Sequence, residues 1–220
     1  MKLKKNNTFI VAVDGGSSVG KSTGAKLIAK KYKLNFLSSG LLYRYASYRL
    51  LKDKPKNKIL YLKKIFKKLN SKKIELIDLH SAKISDNTSL IAKQNKIRAI
   101  LKEFQINYSK KNKKCVIEGR DIATKICPDA HIKFFFICNL EKAAKRRYLD
   151  LKKKNSTVRF FDVKKALKIR NFRDKNRKHS PLLKHIDALE IDTGKLSKSG
   201  MVKKMSKIID KKIKELESLK

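Results

Sequence analysis

Two glycines, a lysine and a serine near the start of the chain have the spacing G-x-x-x-x-G-K-S, at Gly15, Gly20, Lys21 and Ser22. An apolar run at 9–13 precedes them, and apolar residues at helical spacing follow. In a turn between a strand and a helix, successive backbone N–H groups can point at phosphate oxygens, and the helix start adds positive potential. The spacing therefore predicts a loop that holds a polyphosphate rather than a glycine-rich turn that binds nothing.

The side chains of this loop indicate how a nucleoside triphosphate would be held. Lys21 would reach the β- and γ-phosphates, and the Ser22 hydroxyl could bind Mg²⁺, which neutralises charge on the transferring group. We expect the ATP contacts to come from Gly15, Gly16, Ser17, Ser18, Val19, Gly20, Lys21, Ser22 and Thr23. The loop leaves the acceptor open, because GTPases, ATPases, nucleotide kinases and kinases of small metabolites share it.

Strands and helices alternate along the chain, which predicts an α/β fold with a mainly parallel sheet covered on both faces. The predicted strands lie at 9–13, 34–37, 115–119, 132–139 and 188–192. The predicted helices cover 25–32, 41–51, 59–69, 89–111, 141–154, a segment that ends near 177, and a segment from about 198. The alternating pattern at 72–85 indicates one or two short strands.

The charge of the chain raises the question of a polyanionic partner, since 58 Lys and Arg residues face 19 Asp and Glu residues, for a net charge of +39. The lysines are spread along the whole length, which favours a solvated lysine coat over a dedicated nucleic-acid surface. Only ten residues are arginine. Because arginine presents a rigid donor fork that suits phosphate, the arginines are the more informative cations.

Cysteine spacing and apolar runs exclude several other classes. Cys115, Cys127 and Cys138 have no C-x-x-C spacing, which argues against a zinc site or a disulfide framework and favours buried small side chains. The first apolar run is shorter than a signal-peptide core, and none approaches the roughly 18 residues that cross a bilayer. We therefore expect a cytoplasmic protein without membrane association.

Four further stretches contain residues suited to phosphate chemistry: "SSGLLYR" (38–44), "EGRDIAT" (118–124), "KRRYLDL" (145–151) and "IRNFRDKNRKHSPL" (169–182). Together with Arg98 they hold eight of the ten arginines. Phosphoryl transfer between two nucleotides brings anions together, so that guanidinium groups are needed to compensate their repulsion.

With these motifs, the chain resembles the bacterial cytidylate kinases, a branch of the nucleoside monophosphate kinases, everywhere outside about 53–88. The resemblance implies a P-loop kinase fold with a five-stranded parallel sheet and helices on both faces. It implies one domain over 1–220, with an NMP-binding segment at about 38–111 and a mobile lid at about 141–178. The implied reaction transfers the γ-phosphoryl group of ATP to CMP or dCMP with Mg²⁺, by a monomer with no specific nucleic-acid partner.

The resemblance also implies roles for single residues. The acceptor monophosphate would lie beside Ser39, Tyr43, Arg44 and Arg98. The G-R-D segment, with Arg120 and Asp121, would contribute to both catalysis and substrate binding, and Arg170, Asp174 and Arg177 would bind CMP. Arg146 and Arg147 fall in the lid, whose closure would bring one of them to the reacting phosphates and exclude water.

Two of the carboxylate assignments leave alternatives open. Asp174 could orient Arg170 and Arg177, accept a hydrogen bond from the cytosine amino group or a ribose hydroxyl, or form only a helical salt bridge. Glu118 and Asp121 could hold Mg²⁺ through water or tether Arg120. The candidate metal ligands are Ser22, from the glycine loop, and Glu118.

The family pattern is not matched everywhere. Ser38 and Glu118 stand where the family commonly has Asp, Gly16 where it has Pro, and Ala123 where it has Gly. The segment after Asp53, where the family has its CMP-binding insert, matches loosely and is short, so that this segment indicates no residues that would distinguish cytosine from uracil.

Two rival functions follow from the same motifs. One is a P-loop kinase with another small acceptor, such as UMP, a nucleoside or a hydroxylated metabolite. The other is a basic nucleic-acid-binding protein that uses ATP only incidentally.

Overall fold

A computed structural model of the chain describes residues 8–153 and 157–218. In this part of the chain, five strands form one sheet in the order β2-β3-β1-β4-β5. They are β1 (Phe9–Gly15), β2 (Asn35–Ser38), β3 (Lys114–Gly119), β4 (Ile132–Ile137) and β5 (Leu189–Asp192). The predicted five-stranded α/β fold is confirmed, and the central strand β1 pairs in parallel with both β3 and β4.

The helices connect these strands as a parallel sheet requires. They are α1 (Lys21–Lys31), α2 (Ser39–Asp53), α3 (Lys58–Lys67), α4 (Ser71–Ile74), α5 (Ala82–Ile91), α6 (Asn95–Lys111), α7 (Leu140–Lys152), α8 (Phe160–Asn176) and α9 (Lys198–Ser218). The expected end of a helix at residue 154 and part of the expected lid, 154–156, lie outside the described residues.

The register of the sheet brings the carboxyl ends of its strands to one edge. Asp14 lies opposite Gly119, Gly15 lies opposite Phe136, and Ile137 lies opposite Asp192. In an open parallel sheet this edge is where ligands bind.

The chain divides into two compact units. The first consists of 1–36 and 113–220, and the second of Leu37–Asn112. The expected domain limits, including those of the NMP-binding segment and the lid, stay a prediction.

The core of the first unit lies between the sheet and two helices. Phe9, Val13 and Phe134 from the strands are fully buried, and they pack with Ile28 of α1 and Ile209 of α9. This burial fixes α1, and with it the start of the helix that follows the glycine loop.

The second unit is a helical cluster in which α2 packs against α4, α5 and α6, and α3 packs against α6. Leu62, Ile97 and Leu101 are fully buried there. The ring of Phe66 meets those of Tyr45 and Phe104 edge-on.

The short strands predicted at 72–85 are wrong, because this segment contains α4 and the start of α5 instead. Alternation in a strand would place Ile74 and Leu76 on one face. Ile74 is buried and Leu76 is 87% exposed. The Ser81 side chain then caps α5 by accepting a hydrogen bond from the amide of Ile84.

The single helix predicted at 89–111 is interrupted. α5 ends at Ile91, and α6 begins at Asn95 after Gln94 adopts an extended backbone conformation. Arg98 donates to the carbonyl of Ala92 at 3.3 Å. Its side chain thus provides a hydrogen bond to a carbonyl at the end of α5, where the helix itself supplies no donor.

The cysteines carry free thiols, as their spacing predicts. Cys115 and Cys127 are buried, and burial raises the pKa of Cys115 to about 12. Cys138 is only half-buried, which differs from the expectation. None of the helices in the described part of the chain combines the length and the apolar content that a membrane crossing requires.

Candidate active site

The glycine loop leaves β1 at Gly15 and enters α1 at Lys21, as the spacing predicts. A Cβ atom on Gly15 would lie 2.5 Å from the carbonyl oxygen of Phe136, so that only glycine allows the strands to come this close. Gly20 caps α1 with φ 84°, a conformation that glycine adopts at little cost. The loop backbone therefore depends on these two residues.

Lys21 lies within the loop and is 6% exposed. Its Nζ donates to the carbonyl of Gly16 at 3.1 Å and lies 3.7 Å from Oε2 of Glu118. Burial, with a smaller contribution from Arg120, lowers the pKa of Lys21 to about 7, against the opposing effect of Glu118. A polyphosphate in the loop would favour the charged amine.

Arg120, at the end of β3, connects the loop to α8. Its Nε donates to Oδ2 of Asp174 at 2.9 Å, and its Nη2 donates to Oγ of Ser17 at 2.9 Å. Asp174 thus pairs with an arginine 54 positions away in the sequence, a partner that the helical spacing did not predict.

Further arginines surround this carboxylate. Nη1 of Arg177 lies 3.7 Å from Oδ1 of Asp174. Burial favours the neutral acid, but Arg120, Arg170 and Arg177 outweigh it and lower the pKa of Asp174. The expected set of Arg170, Asp174 and Arg177 is therefore an electrostatic cluster that also includes Arg120.

Two further arginines, Arg170 and Arg147, have lowered pKa values. Burial, followed by repulsion from Arg120, lowers the pKa of Arg170 to about 10, and Arg147 repels it further. Burial also lowers the pKa of Arg147. Both groups remain cations near neutral pH, and an anion would relieve the repulsion between them.

Asn171 contacts the loop, although the sequence reasoning did not single it out. Its Oδ1 accepts a hydrogen bond from the amide of Ser17 at 3.0 Å. Its place beside Arg170, on a helix of candidate ligand residues, is the only signal that could have identified it.

Asp14 was also missed. This fully buried carboxylate accepts hydrogen bonds from the amides of Ile122 and Ala123, at 2.9 and 2.7 Å. It thereby holds a π-helical turn, Ile122–Ile126, that directly follows the G-R-D segment. Burial raises the pKa of Asp14 to about 7, although the two amides oppose this shift. A carboxylate at the end of an apolar strand was the available signal.

Arg146 and Arg147, the first arginines of the expected lid, lie on α7. The side chain of Arg146 contacts the residue that follows β5. Its Nη2 donates to the carbonyl of Thr193 at 2.7 Å, and its Nη1 donates to Oγ1 of the same residue at 3.0 Å. Thr193 is buried, and sequence reasoning did not identify it.

The remaining loop residues have different surroundings. The carbonyl of Val19 accepts a hydrogen bond from Thr193, and Ser18 has a positive φ of 59°. Ser22 and Thr23, in the first turn of α1, are exposed.

The expected acceptor residues all lie in the second unit. Ser39, Tyr43, Arg44 and Arg98 are each less than 10% exposed. The guanidinium of Arg98 lies 5.6 Å from the centre of the Tyr43 ring. Nη1 of Arg44 donates to the carbonyl of Leu79 and to Oγ of Ser85, both at 2.9 Å.

Ser38 shows how one departure from the family pattern is accommodated. Its side chain accepts a hydrogen bond from the amide of Leu41 at 3.2 Å and caps α2. Serine can satisfy a helix N-terminus as aspartate does.

Within residues 8–153 and 157–218, no three His, Cys, Asp or Glu side chains are grouped so that they could hold a metal ion. The oxygens of Ser22 and Glu118 are nevertheless suitable for Mg²⁺, which takes few protein ligands and keeps water and phosphate oxygens. Glu118 lies beside Lys21, so that the amine and a metal ion would compete for its charge.

The family model described as cytidylate kinase matches residues 11–211. The cytidylate kinase of Bartonella tribocorum is 40% identical over 195 residues, which are 86% of this chain and 88% of that protein. The cytidylate kinase of Fusobacterium nucleatum is 35% identical over 93% of this chain and 99% of that protein. That of Rickettsia rickettsii is 34% identical over 94% of each.

Solved structures agree with the fold. An uncharacterized protein from Eubacterium ventriosum aligns with a TM-score of 0.52 at 16% identity, over 93% of this chain and 99% of that one. TT1252 from Thermus thermophilus aligns with a TM-score of 0.51 at 12% identity, over 93% and 97%. These likenesses concern the fold alone, whereas the sequence matches identify the relatives: the chain belongs to the cytidylate kinase family.

Proposed function

We propose that the chain transfers the γ-phosphoryl group of ATP to CMP. The bond between the γ-phosphorus and the bridging oxygen of ADP breaks, and a bond to a phosphate oxygen of CMP forms, giving ADP and CDP. The observation that carries the proposal is the family match over residues 11–211, which includes the glycine loop and the arginine cluster.

The donor triphosphate would be held by the loop from Gly15 to Thr23. The positive end of α1, the backbone amides and Lys21 would oppose its charge. The burial of Lys21 supports this role, because an amine at low exposure interacts more strongly with an anion than an amine in water does.

The reacting phosphates would be compensated by Arg120, with Arg147 and Arg170 nearby. The lowered pKa values of Arg147 and Arg170 support the binding of an anion to this cluster, because an anion would stabilise both charged groups. Asp174 would keep Arg120 and Arg177 in place, and Asp121 would act within the same G-R-D segment.

The acceptor monophosphate would be bound by Ser39, Tyr43, Arg44 and Arg98. Their low exposure and the contact between Tyr43 and Arg98 support a preorganised group. Mg²⁺, bound to the ATP phosphates with Ser22 and Glu118 as candidate ligands, would supply charge neutralisation.

Finer properties rest on the family resemblance. We propose dCMP as a second acceptor, and a monomer that acts in the cytoplasm without a nucleic-acid partner. Size-exclusion chromatography with light scattering would measure the mass of the particle in solution.

Turnover tests the reaction directly. A coupled assay of ADP release should give saturable rates with CMP and dCMP, and little with UMP, AMP or shikimate. A saturable rate with another acceptor alone would move the assignment to that substrate. Steeply salt-dependent binding of generic RNA or DNA without turnover would support the nucleic-acid rival instead.

Lys21→Met should lower this turnover about 10³-fold, because the positive charge that opposes the charge of the transferring phosphates is lost. The matched control is Lys30→Met on the exposed side of the same helix, which should keep the wild-type rate. Equal loss in both variants, with folding intact, would contradict the role of Lys21.

A further inference from the structure

Thr193 connects three elements of the first unit at the residue that follows β5. Its amide donates to the carbonyl of Ile137 at 3.0 Å, which extends the pairing with β4. Its hydroxyl donates to the carbonyl of Val19, inside the glycine loop, at 2.7 Å. At 4% exposure, the residue is shielded from water that could replace these bonds.

The bond to Val19 also determines the direction of the next amide. The peptide between Val19 and Gly20 is planar and trans, so its carbonyl and its N–H point in opposite directions. A hydroxyl that holds the carbonyl on one side therefore aims the N–H of Gly20 to the other. In a glycine loop, such amides are the donors to phosphate.

Arg146 holds Thr193 with both ends of its guanidinium. One nitrogen donates to the carbonyl oxygen and the other to the hydroxyl oxygen, at 2.7 and 3.0 Å. The hydroxyl has a single proton to donate, and the carbonyl of Val19 at 2.7 Å is a closer acceptor for it than the carbonyl of Ile137 at 3.4 Å. Nη1 of Arg146 also lies 3.7 Å from the place that a Cβ atom on Gly20 would take.

We propose that Thr193 and Arg146 are positioning residues for ATP: Thr193 orients the Val19–Gly20 peptide of the loop, and Arg146 holds Thr193 in the orientation that this requires. This role rests on the proposed function of the loop as the donor site. It differs from the role that the lid resemblance implies for Arg146, which is contact with the migrating phosphoryl group.

The test is Thr193→Val, which keeps the shape of the side chain and removes the hydroxyl. ATP affinity, measured by calorimetry without any acceptor, should fall roughly 10-fold. The buried carbonyl of Val19 loses its donor, so that the N–H of Gly20 is no longer held in its direction toward phosphate. The KM for ATP should rise similarly, and kcat at saturating ATP should change little. Thr193→Ser, which keeps the hydroxyl, should restore most of the affinity.

Thr88→Val is the matched control, because Thr88 is equally buried and its hydroxyl donates to the carbonyl of Ile84 in the second unit. It should leave ATP affinity unchanged. An equal loss in both variants would indicate a general effect of removing a buried hydroxyl and would overturn the proposal.

Arg146→Gln separates the two roles of the arginine. If it acts through Thr193, ATP affinity falls by several fold, and the double variant with Thr193→Val is no weaker than Thr193→Val alone. A loss of about 10³-fold in kcat, with ATP affinity retained, would assign Arg146 to the transition state and overturn the proposal. This variant also tests the proposal if Thr193→Val does not fold.

These outcomes are independent of the acceptor. A wild-type chain that binds ATP but does not phosphorylate CMP would contradict the proposed reaction and leave the ATP measurements valid. Normal CMP turnover with wild-type ATP affinity in Thr193→Val would overturn the positioning role alone.

Discussion

Arg120 in the first unit has different partners from Arg44 and Arg98 in the second. In the first, Arg120 is paired with the carboxylate of Asp174 and with the hydroxyl of Ser17 in the glycine loop. In the second, Arg44 and Arg98 donate to the backbone carbonyls of Leu79 and Ala92. A cation held by a carboxylate stays oriented for a ligand, whereas a cation held by carbonyls also supports the local backbone. Substitutions should therefore affect catalysis most in the first unit and stability most in the second.

Among the substitutions that test this comparison between the units, the largest effect should come from Asp174→Asn. The loss of a carboxylate that holds Arg120 and Arg177 should lower kcat/KM for CMP about 100-fold, because small displacements of catalytic groups cost this much. Steady-state kinetics with varied CMP and ATP would measure it.

Asp162→Asn provides the control on the same helix, since Asp162 forms an exposed pair with Arg159. This variant should behave as the wild type. Similar kinetics in Asp174→Asn and the wild type would remove the distinction between the units.

In the second unit, Arg44→Met should lower the free energy of unfolding by about 2 kcal/mol, because the buried carbonyl of Leu79 and the hydroxyl of Ser85 lose a charged donor. Urea denaturation followed by circular dichroism would measure the change.

Arg49→Met is the comparison, because the partly exposed pair between Arg49 and Asp53 should contribute less than about 1 kcal/mol. If the free energy of unfolding were the same in Arg44→Met and Arg49→Met, the hydrogen bonds of Arg44 would not contribute more to stability than an exposed ion pair. Only the proposed role of Arg44 in acceptor binding would then stand.

The smallest predicted effect is an uptake of protons by Lys21, in the first unit, when ATP binds. The pKa of Lys21 is about 7 in the free protein, and bound ATP should raise it. At pH 8 the free amine is mostly neutral, so binding should take up a fraction of a proton per ATP. ATP affinity should accordingly fall as the pH rises above about 7.

Calorimetry in buffers with different heats of ionisation would measure this uptake. Lys21→Met should bind ATP without it. An unchanged uptake in that variant would assign the proton to another group.

The parts that could be predicted from the sequence depend on local backbone geometry. The loop from Gly15 to Ser22 requires glycine at particular positions, so its place between a strand and a helix follows from spacing alone. The strands at 9–13 and 132–139 could also be predicted from a local pattern, because continuous apolar runs are typical of strands buried on both faces.

The parts that could not be predicted depend on contacts between distant segments. Nothing local connects Asn171 with Ser17, or Asp14 with the amides of Ile122 and Ala123. The error at 72–85 has the same origin, because which apolar residues are buried was decided by packing against α2 and not by alternation.

The carboxylate of Asp14 has a mechanical consequence. The central strand ends in the glycine loop, and one residue earlier it carries the group that fastens the segment after Arg120. The separation between the loop and that segment is thus set within the hydrogen-bonded interior of the sheet. Thermal fluctuation of the surface loops should leave this spacing nearly constant while the nucleotide enters and leaves.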